Sequence, residues 1–277
     1  MSKKIWLITG VSSGLGKALA ETVMTSGGFV IGTFRKQSQV ESFNQKNKGN
    51  GFAIKLDITN LNDINEAVQL LISKFGRIEV LVNNAGIGFV GAIEESSIEE
   101  VKAVFDANFF GALQLTRSVL PFMRKEKNGH IVQISSHGGI KAFAGFGIYN
   151  ASKFALEGFS EALAQEVNPI GLKVSIIEPG PFRTKFASDS LKEAKKRLSD
   201  YSETAGAFRV KLRGVDGKQE GDPVKASKAI IDIVNSDSLT LRFPLGRIAL
   251  STIAAKVESV KKDLENNRTI AEGTVFK

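Results

Sequence analysis

Tyr149 and Lys153 stand four residues apart in the run Tyr149-Asn150-Ala151-Ser152-Lys153, and the chain has only one other tyrosine. Phe154, Ala155, Phe159, Ala162 and Leu163 recur around them at helical rather than alternating spacing. On a helix, positions i and i+4 share a face, so the phenol and the ammonium become neighbours. A nearby ammonium favours phenolate and pulls the phenol below its usual pKa of about 10. Bringing it to about 7 takes roughly 4 kcal/mol of differential stabilisation. A phenol tuned in this way donates and accepts protons in alcohol–carbonyl interconversion. A tyrosine and lysine at this spacing also occur as plain surface packing, so the pair acquires meaning only from what surrounds it.

The surroundings read as a nucleotide-binding α/β unit. Residues 4–9 form a short buried strand. Thr9-Gly10-Val11-Ser12-Ser13-Gly14-Leu15-Gly16 follows, then a helical run over 17–25. Gly10 permits a tight turn, Gly14 lets the backbone approach a pyrophosphate, and Gly16 allows close packing of helix on strand. The N–H groups at the helix start, with Ser12, Ser13 and Leu15, then face the phosphates. The spacing is G-x-x-x-G-x-G rather than the common G-x-G-x-x-G.

A second strand over 29–34 ends in Phe34, where dinucleotide folds often place an acid for the ribose 2′-hydroxyl. Arg35 and Lys36 follow instead. An arginine binds a 2′-phosphate bidentately, so the reading is NADP(H) over NAD(H), against the alternative of plain solvated loop charges. A polar loop over 37–50 leads to a third strand (52–56) and then Asp57-Ile58. Asp57 either accepts from an adenine amino group or organises the turn. After a helix over 60–75, a strand over 78–82 ends in Asn83-Asn84-Ala85-Gly86, small and amide residues suited to a ligand crevice. Ser97 and Glu100 form a capping box opening a helix to about residue 115. Asn108 interrupts its apolar face, either as a satisfied core amide or as a place where the helix opens to bind water.

A strand over 129–135 delivers Ser135 and Ser136, and one over 172–178 delivers the loop Pro179-Gly180-Pro181-Phe182-Arg183-Thr184. From 185 to 221 the β–α alternation stops and the sequence turns charged and helical, as in a substrate cap. Asp222-Pro223 reads as an N-cap and first helical position. A last strand over 239–243 precedes an amphipathic helix carrying Leu250, Ile253, Val257, Val260 and Leu264. That helix packs on the body or on another subunit.

Composition narrows the field. With 277 residues, 42% hydrophobic and 24% charged, the chain fits an ordinary globular protein read as one domain, 1–277. It has no cysteine and two histidines, which excludes thiolate chemistry and a histidine-rich metal site; no metal is expected. The net charge is +8, and residues 190–277 hold 17 basic against 12 acidic residues. These charges are interspersed, as on a solvated face, and no nucleic-acid module accompanies them. The apolar stretch after Lys3 and Lys4 is too short for a signal peptide and no stretch is long enough to span a membrane, so a cytoplasmic protein is expected.

The glycine loop, Asn83–Gly86, Asn108, Ser136, Tyr149, Lys153 and the 179–184 loop together resemble the short-chain dehydrogenase/reductase family, its shorter branch. The resemblance covers roughly residues 4–184. It implies a doubly wound, Rossmann-type parallel sheet of about seven strands with helices on both faces and a helical substrate cap. By resemblance Tyr149 is the general acid/base, and Lys153 lowers its pKa and bonds the nicotinamide ribose. Ser136 orients the substrate oxygen, and Asn108 holds a water in a proton relay. The cofactor positions implied are Gly10, Ser13, Gly14, Gly16, Asp57, Asn84 and Thr184. From their place at the strand ends, Ser12, Leu15, Arg35, Lys36, Ile58, Ala85, Gly86, Pro179, Gly180 and Phe182 complete the set. Phe143, Phe146, Phe182 and Phe186 flank the catalytic segments, and about half of them should be ordinary core. The expected activity is NADP(H)-dependent interconversion of an apolar carbonyl compound and its alcohol, in a homodimer or homotetramer. The alternative is a non-catalytic NADP-binding sensor or partner-binding protein, which would be marked by a broken Ser–Tyr–Lys set; this set is intact.

Overall fold

The structure, a computed structural model, describes residues 3–187, 190–237 and 240–276. Its first half alternates β1 (Ile5–Ile8), α1 (Gly14–Thr25), β2 (Phe29–Phe34), α2 (Gln37–Lys46), β3 (Gly51–Lys55), α3 (Leu61–Phe75) and β4 (Val80–Asn83). A short β5 (Gly88–Val90) precedes α4 (Ile98–Phe105), a π turn at Asp106–Phe110, α5 (Gly111–Glu126) and β6 (Gly129–Ile134). Next come α6 (Gly147–Val167), β7 (Leu172–Pro179), β8 (Leu191–Glu193), α7 (Ala207–Gly214), α8 (Pro223–Asn235), β9 (Arg242–Leu245) and α9 (Arg247–Glu272).

Among the described residues, seven strands form one sheet in the order β3-β2-β1-β4-β6-β7-β9, with every neighbouring pair parallel. Parallel strands need helical crossovers that cover both faces, which is why β1 and β4 are buried at every position. Alternate residues serve opposite layers. Leu7, Leu81 and Ile131 pack with α3, α5 and α6, whereas Trp6, Ile8, Val82 and Val132 pack with α1 and α8. The chain winds outward from β1 to β3 and then returns to β4 on the other side of β1. The β1–β4 gap is therefore the topological switch point, and the loops after both strands open onto one crevice.

Local signals set the helix ends as expected. Ser97 and Glu100 form the capping box of α4, and Asp222 accepts from the N–H groups of Val224 and Lys225 with Pro223 opening α8. Four expectations need correction. The 37–50 segment is not a loop but contains α2; its two apolar anchors, Val40 and Phe43, give too thin a stripe to signal a helix. Phe43 packs on Phe34 with ring centroids 5.5 Å apart, so tertiary contact secures this helix. The helix opening at Ser97 is broken by the π turn and runs past Pro121 to Glu126, held by buried Val119 and Met123. β5 and β8 pair with each other outside the main sheet; at three residues each they are too short for a period to show. The last strand lies at Arg242–Leu245, with residue 239 of the expected span outside the described residues. No described helix is long and apolar enough to cross a membrane.

α9 docks only by its first turns. Ala249 is buried, whereas Val257 and Leu264 are 61% and 69% exposed, so most of this helix stands clear of the body.

Candidate active site

The glycine loop is tied into the crevice by the chain's own polar groups. The Thr9 hydroxyl accepts the N–H groups of Asn84 and Ala85, both at 2.9 Å, which joins the loop after β1 to the loop after β4. The Gly10 N–H bonds the Thr33 hydroxyl at 3.1 Å, tying in the end of β2. Gly10 and Gly14 have φ of +71° and +61°, a left-handed backbone that glycine adopts without strain. A Cβ on Gly16 would sit 2.3 Å from Asn84 Nδ2 and 2.6 Å from the Gly10 carbonyl, so only hydrogen fits there. Asn84 donates to the carbonyls of Thr9 and Gly10, so its side chain braces this loop. α1 begins at Gly14 with no acidic residue in its first turn, and Ser13 makes no capping bond. The helix start therefore presents N–H groups that these side chains do not satisfy, the arrangement that suits a phosphate.

Thr184 reaches this cradle from the loop after β7, its Cβ 3.6 Å from where a Cβ on Gly14 would lie. Arg35 and Lys36 are exposed just beyond β2, two and three residues past the Thr33 that holds Gly10. Asp57 Oδ1 accepts from the N–H and hydroxyl of Thr59 and so organises the turn after β3. Phe182 packs its ring on Gly221 and Gly246.

The titrating residues meet at the C-terminal ends of β4 and β6. Tyr149 and Lys153 lie on α6, each 6% exposed, with Lys153 Nζ 5.9 Å from the tyrosine ring centre. Lys153 Nζ donates to the Ile134 carbonyl at 2.8 Å. Ser136, at the end of β6, accepts from the Gly138 N–H and hydrogen-bonds Tyr149. A Cβ on Gly86 would lie 2.9 Å from Asn108 Oδ1 and 3.8 Å from Lys153 Nζ, so the loop after β4 passes between these groups because it carries no side chain there. Asn108 sits in the π turn. Its amide exchanges bonds with both Ile87 N–H and Ile87 C=O, at 2.8 and 2.9 Å, and donates to Ser152. Its side chain is thus a satisfied core amide, while the π turn is where the helix opens.

Burial controls the electrostatics. It pushes Tyr149 up to about 12, against the pull of the Ser136 hydrogen bond, the opposite direction to that expected from Lys153 alone. It also pulls Lys153 down to about 8, with Glu157 opposing. At neutral pH the phenol keeps its proton, so Tyr149 is poised as a donor.

Aromatic side chains pack around the tyrosine ring. Phe146 stacks on Tyr149 at 4.3 Å between centroids, and Phe186 meets its edge at 5.7 Å. Phe208 of α7 packs on Phe143 and Phe146 at 6.3 and 5.3 Å. Phe208 was not among the residues expected from sequence, because no local spacing links it to Tyr149. Also not anticipated were Glu157, Glu178 and Arg242 beneath Lys153, and the buried pair Glu95–Arg209 at 3.1 Å, which fastens α7 to the body. For Glu157 the signal was available: it lies one further helical turn along the Tyr149–Lys153 face.

The short chain dehydrogenase family profile matches residues 4–195. A 3-ketodihydrosphingosine reductase of Bacteroides thetaiotaomicron is 38% identical over 94% of this chain and 93% of its own length. A crystal structure of a short-chain dehydrogenase from Streptomyces avermitilis superposes with a TM-score of 0.93, 39% identity and full coverage of both chains. ElxO, solved with NADP bound, superposes with a TM-score of 0.75 at 25% identity, covering 90% of this chain and all of ElxO. With the profile covering most of the chain and a relative this similar end to end, the protein belongs to the short-chain dehydrogenase family and is an oxidoreductase of that family.

Proposed function

We propose that this protein is an NADP(H)-dependent reductase of apolar ketones or aldehydes, run in reverse as an alcohol dehydrogenase, with Tyr149 as the general acid/base. The observation that carries the reading is the meeting of Tyr149, Ser136 and Lys153 at the switch-point crevice, beside a glycine cradle that a single Cβ would fill. The cradle fits a dinucleotide: Gly10, Ser12, Ser13, Gly14, Leu15 and Gly16 would hold its pyrophosphate. Asp57, Ile58, Asn84, Ala85 and Gly86 would flank the adenosine side, and Pro179, Gly180, Phe182 and Thr184 the nicotinamide side. Arg35 and Lys36 would take a 2′-phosphate, as two exposed cations where an acid would repel it. A bound nicotinamide nucleotide supplies hydride in reduction and accepts it in oxidation.

The chain's own residues manage the proton and the substrate. Ser136 and Tyr149 hydrogen-bond the substrate oxygen, and the Tyr149 phenol gives its proton to that oxygen as the alcohol forms. Lys153 holds positive charge beside the phenolate left behind. Asn108 contributes through the backbone that the π turn opens, its amide being spent on Ile87 and Ser152. Phe143, Phe146, Phe186 and Phe208 exclude water and favour an apolar chain or ring on the substrate. The similarity to a 3-ketodihydrosphingosine reductase supports a long-chain ketone in that role.

We also read the chain as one domain that assembles as two or four copies, supported by the bare apolar stripe of α9. The test is calorimetric titration with NADPH and NADH, on wild type and on Arg35→Ala. NADPH is expected to bind at least tenfold more tightly, and Arg35→Ala to remove most of that difference. Equal affinities would overturn the cofactor assignment, and no binding of either would overturn the cradle.

A further inference from the structure

Below the reacting pair, α6 continues the same face with Glu157 and then Glu161. Two of the acids there are deeply buried: Glu157 is 4% and Glu178 0% exposed. Arg242 of β9 is the cation they share. Its Nε lies 3.4 Å from Glu157 Oε2 and 3.5 Å from Glu178 Oε1, while its Nη2 bonds exposed Glu161 at 2.7 Å. Neither buried carboxylate receives a hydrogen bond of normal geometry. An ionised carboxylate out of water and without such bonds persists only against cations. Those within reach are Arg242 and, one helical turn above Glu157, Lys153.

Lys153 has the mirror-image problem. It is buried, its hydrogen bond goes to the neutral Ile134 carbonyl, and its neighbours Asn108, across Gly86, and Tyr149, on its own helix, are neutral. His137, on the turn after β6, is held neutral by burial. The acid that supports its charge is Glu157.

We propose that Glu157 is a positioning residue for the reaction: kept ionised by Arg242, it is the buried counter-ion that keeps the Lys153 ammonium charged beside Tyr149. Glu178 completes the arrangement by taking up a proton near neutral pH. Burial and the neighbouring Glu157 charge push it up to about 7 despite Arg242, so the two acids need not both be ionised. Burial also holds Glu157 above the ordinary carboxylate value, with Glu161 adding to it and Ser135, Arg242 and Lys153 opposing. Glu157 then has a cation on each side, Arg242 from β9 and Lys153 one turn along the same helix face.

This inference rests on the reading of Tyr149 and Lys153 as the reacting pair, and its test separates the two. The Lys153 ammonium would be titrated directly by carbon NMR of labelled lysine Cε, assigned with Lys153→Arg, in the full chain. In parallel, kcat/KM for ketone reduction would be followed against pH. In Glu157→Gln the Lys153 midpoint is expected to fall by about one unit or more, with a matching downward move of the alkaline limb of kcat/KM, tenfold in rate per unit. Glu157→Asp should restore most of both. Should Glu157→Gln fail to fold, Glu178→Gln serves: removing the competing acid should leave the Lys153 midpoint the same or higher, and a fall there would refute the assignment. A Glu157→Gln protein that melts earlier but keeps its Lys153 midpoint and its pH profile would show a structural tie only and overturn the inference. A wild type that reduces no carbonyl while its Lys153 midpoint still depends on Glu157 would instead overturn the functional reading.

Discussion

Replacing Glu95 with glutamine should loosen the cap over the phenol. Glu95 is 3% and Arg209 7% exposed, and the carboxylate accepts three bonds: from Ala92 N–H at 2.8 Å, Leu198 N–H at 2.9 Å and Arg209 at 3.1 Å. Burial works to raise its pKa, yet the amides of Leu198 and Ala92 together with Arg209 outweigh that and hold it below the ordinary carboxylate value. Glutamine keeps the shape, removes the charge and turns one acceptor into a donor facing a donor. Breaking a buried pair from one side costs about 3–5 kcal/mol. Arg209 keeps Glu193 at 3.6 Å, which favours the lower end, about 3 kcal/mol. If the cap and body unfold together, that is a fall in Tm of roughly 6–12 °C for a chain of this size. If the cap opens alone, the loss appears as faster hydrogen exchange in α7, with Tm less affected. Because Phe208 beside Arg209 packs on Phe143 and Phe146, KM for apolar ketones should rise with kcat less changed. A depressed carboxylate pKa gives stability that is present above the unfolded value and lost as pH falls through the folded one. The gap between Glu95→Gln and wild type should therefore close in acid. Calorimetry and hydrogen exchange from neutral to acid pH test this; a mutant with unchanged Tm and unchanged exchange in α7 at neutral pH would refute it.

Three further outcomes are expected. Gly16→Ala forces a methyl onto Asn84 and the Gly10 carbonyl, so NADPH affinity should fall at least tenfold by calorimetry while far-ultraviolet circular dichroism stays native. His130, buried on Ser175 at 2.8 Å, has its pKa pulled down to about 4, mainly by burial and then by Lys173. Stability should thus fall by about 3 kcal/mol as pH drops from about 6.5 to 4, and His130→Gln should flatten that slope in urea titrations. Leu264→Glu on bare α9 should lower the mass seen by light scattering if this stripe joins two copies; an unchanged mass would place the assembly elsewhere.

Much of the fold was legible because parallel strands buried on both faces write themselves as continuous apolar runs, and glycine, asparagine and serine mark where they end. Tyr149, Lys153, Ser136 and the glycine loop were legible for the same reason: their spacing is local. What escaped was set by distance in sequence. Phe208 reaches Tyr149's neighbours from α7, Arg242 reaches Glu157 from β9, and Arg209 finds Glu95 more than a hundred residues away. The direction of the Tyr149 shift escaped too, since desolvation depends on what the whole fold lays over the ring and not on the neighbour one turn along. Asn84 shows a milder case. Its position at the crevice was readable, but its use as a brace for Thr9 and Gly10 was not.

Tyr149 is proposed to move the proton in a carbonyl reduction driven by NADPH. The most direct measurement is NADPH consumption with a long-chain 3-ketone, wild type against Tyr149→Phe, with NADPH affinity determined for both. Tyr149→Phe is expected still to bind NADPH and to lose at least a hundredfold in kcat, the lower bound for removing a general acid. Turnover by Tyr149→Phe within a few-fold of an active wild type would contradict it.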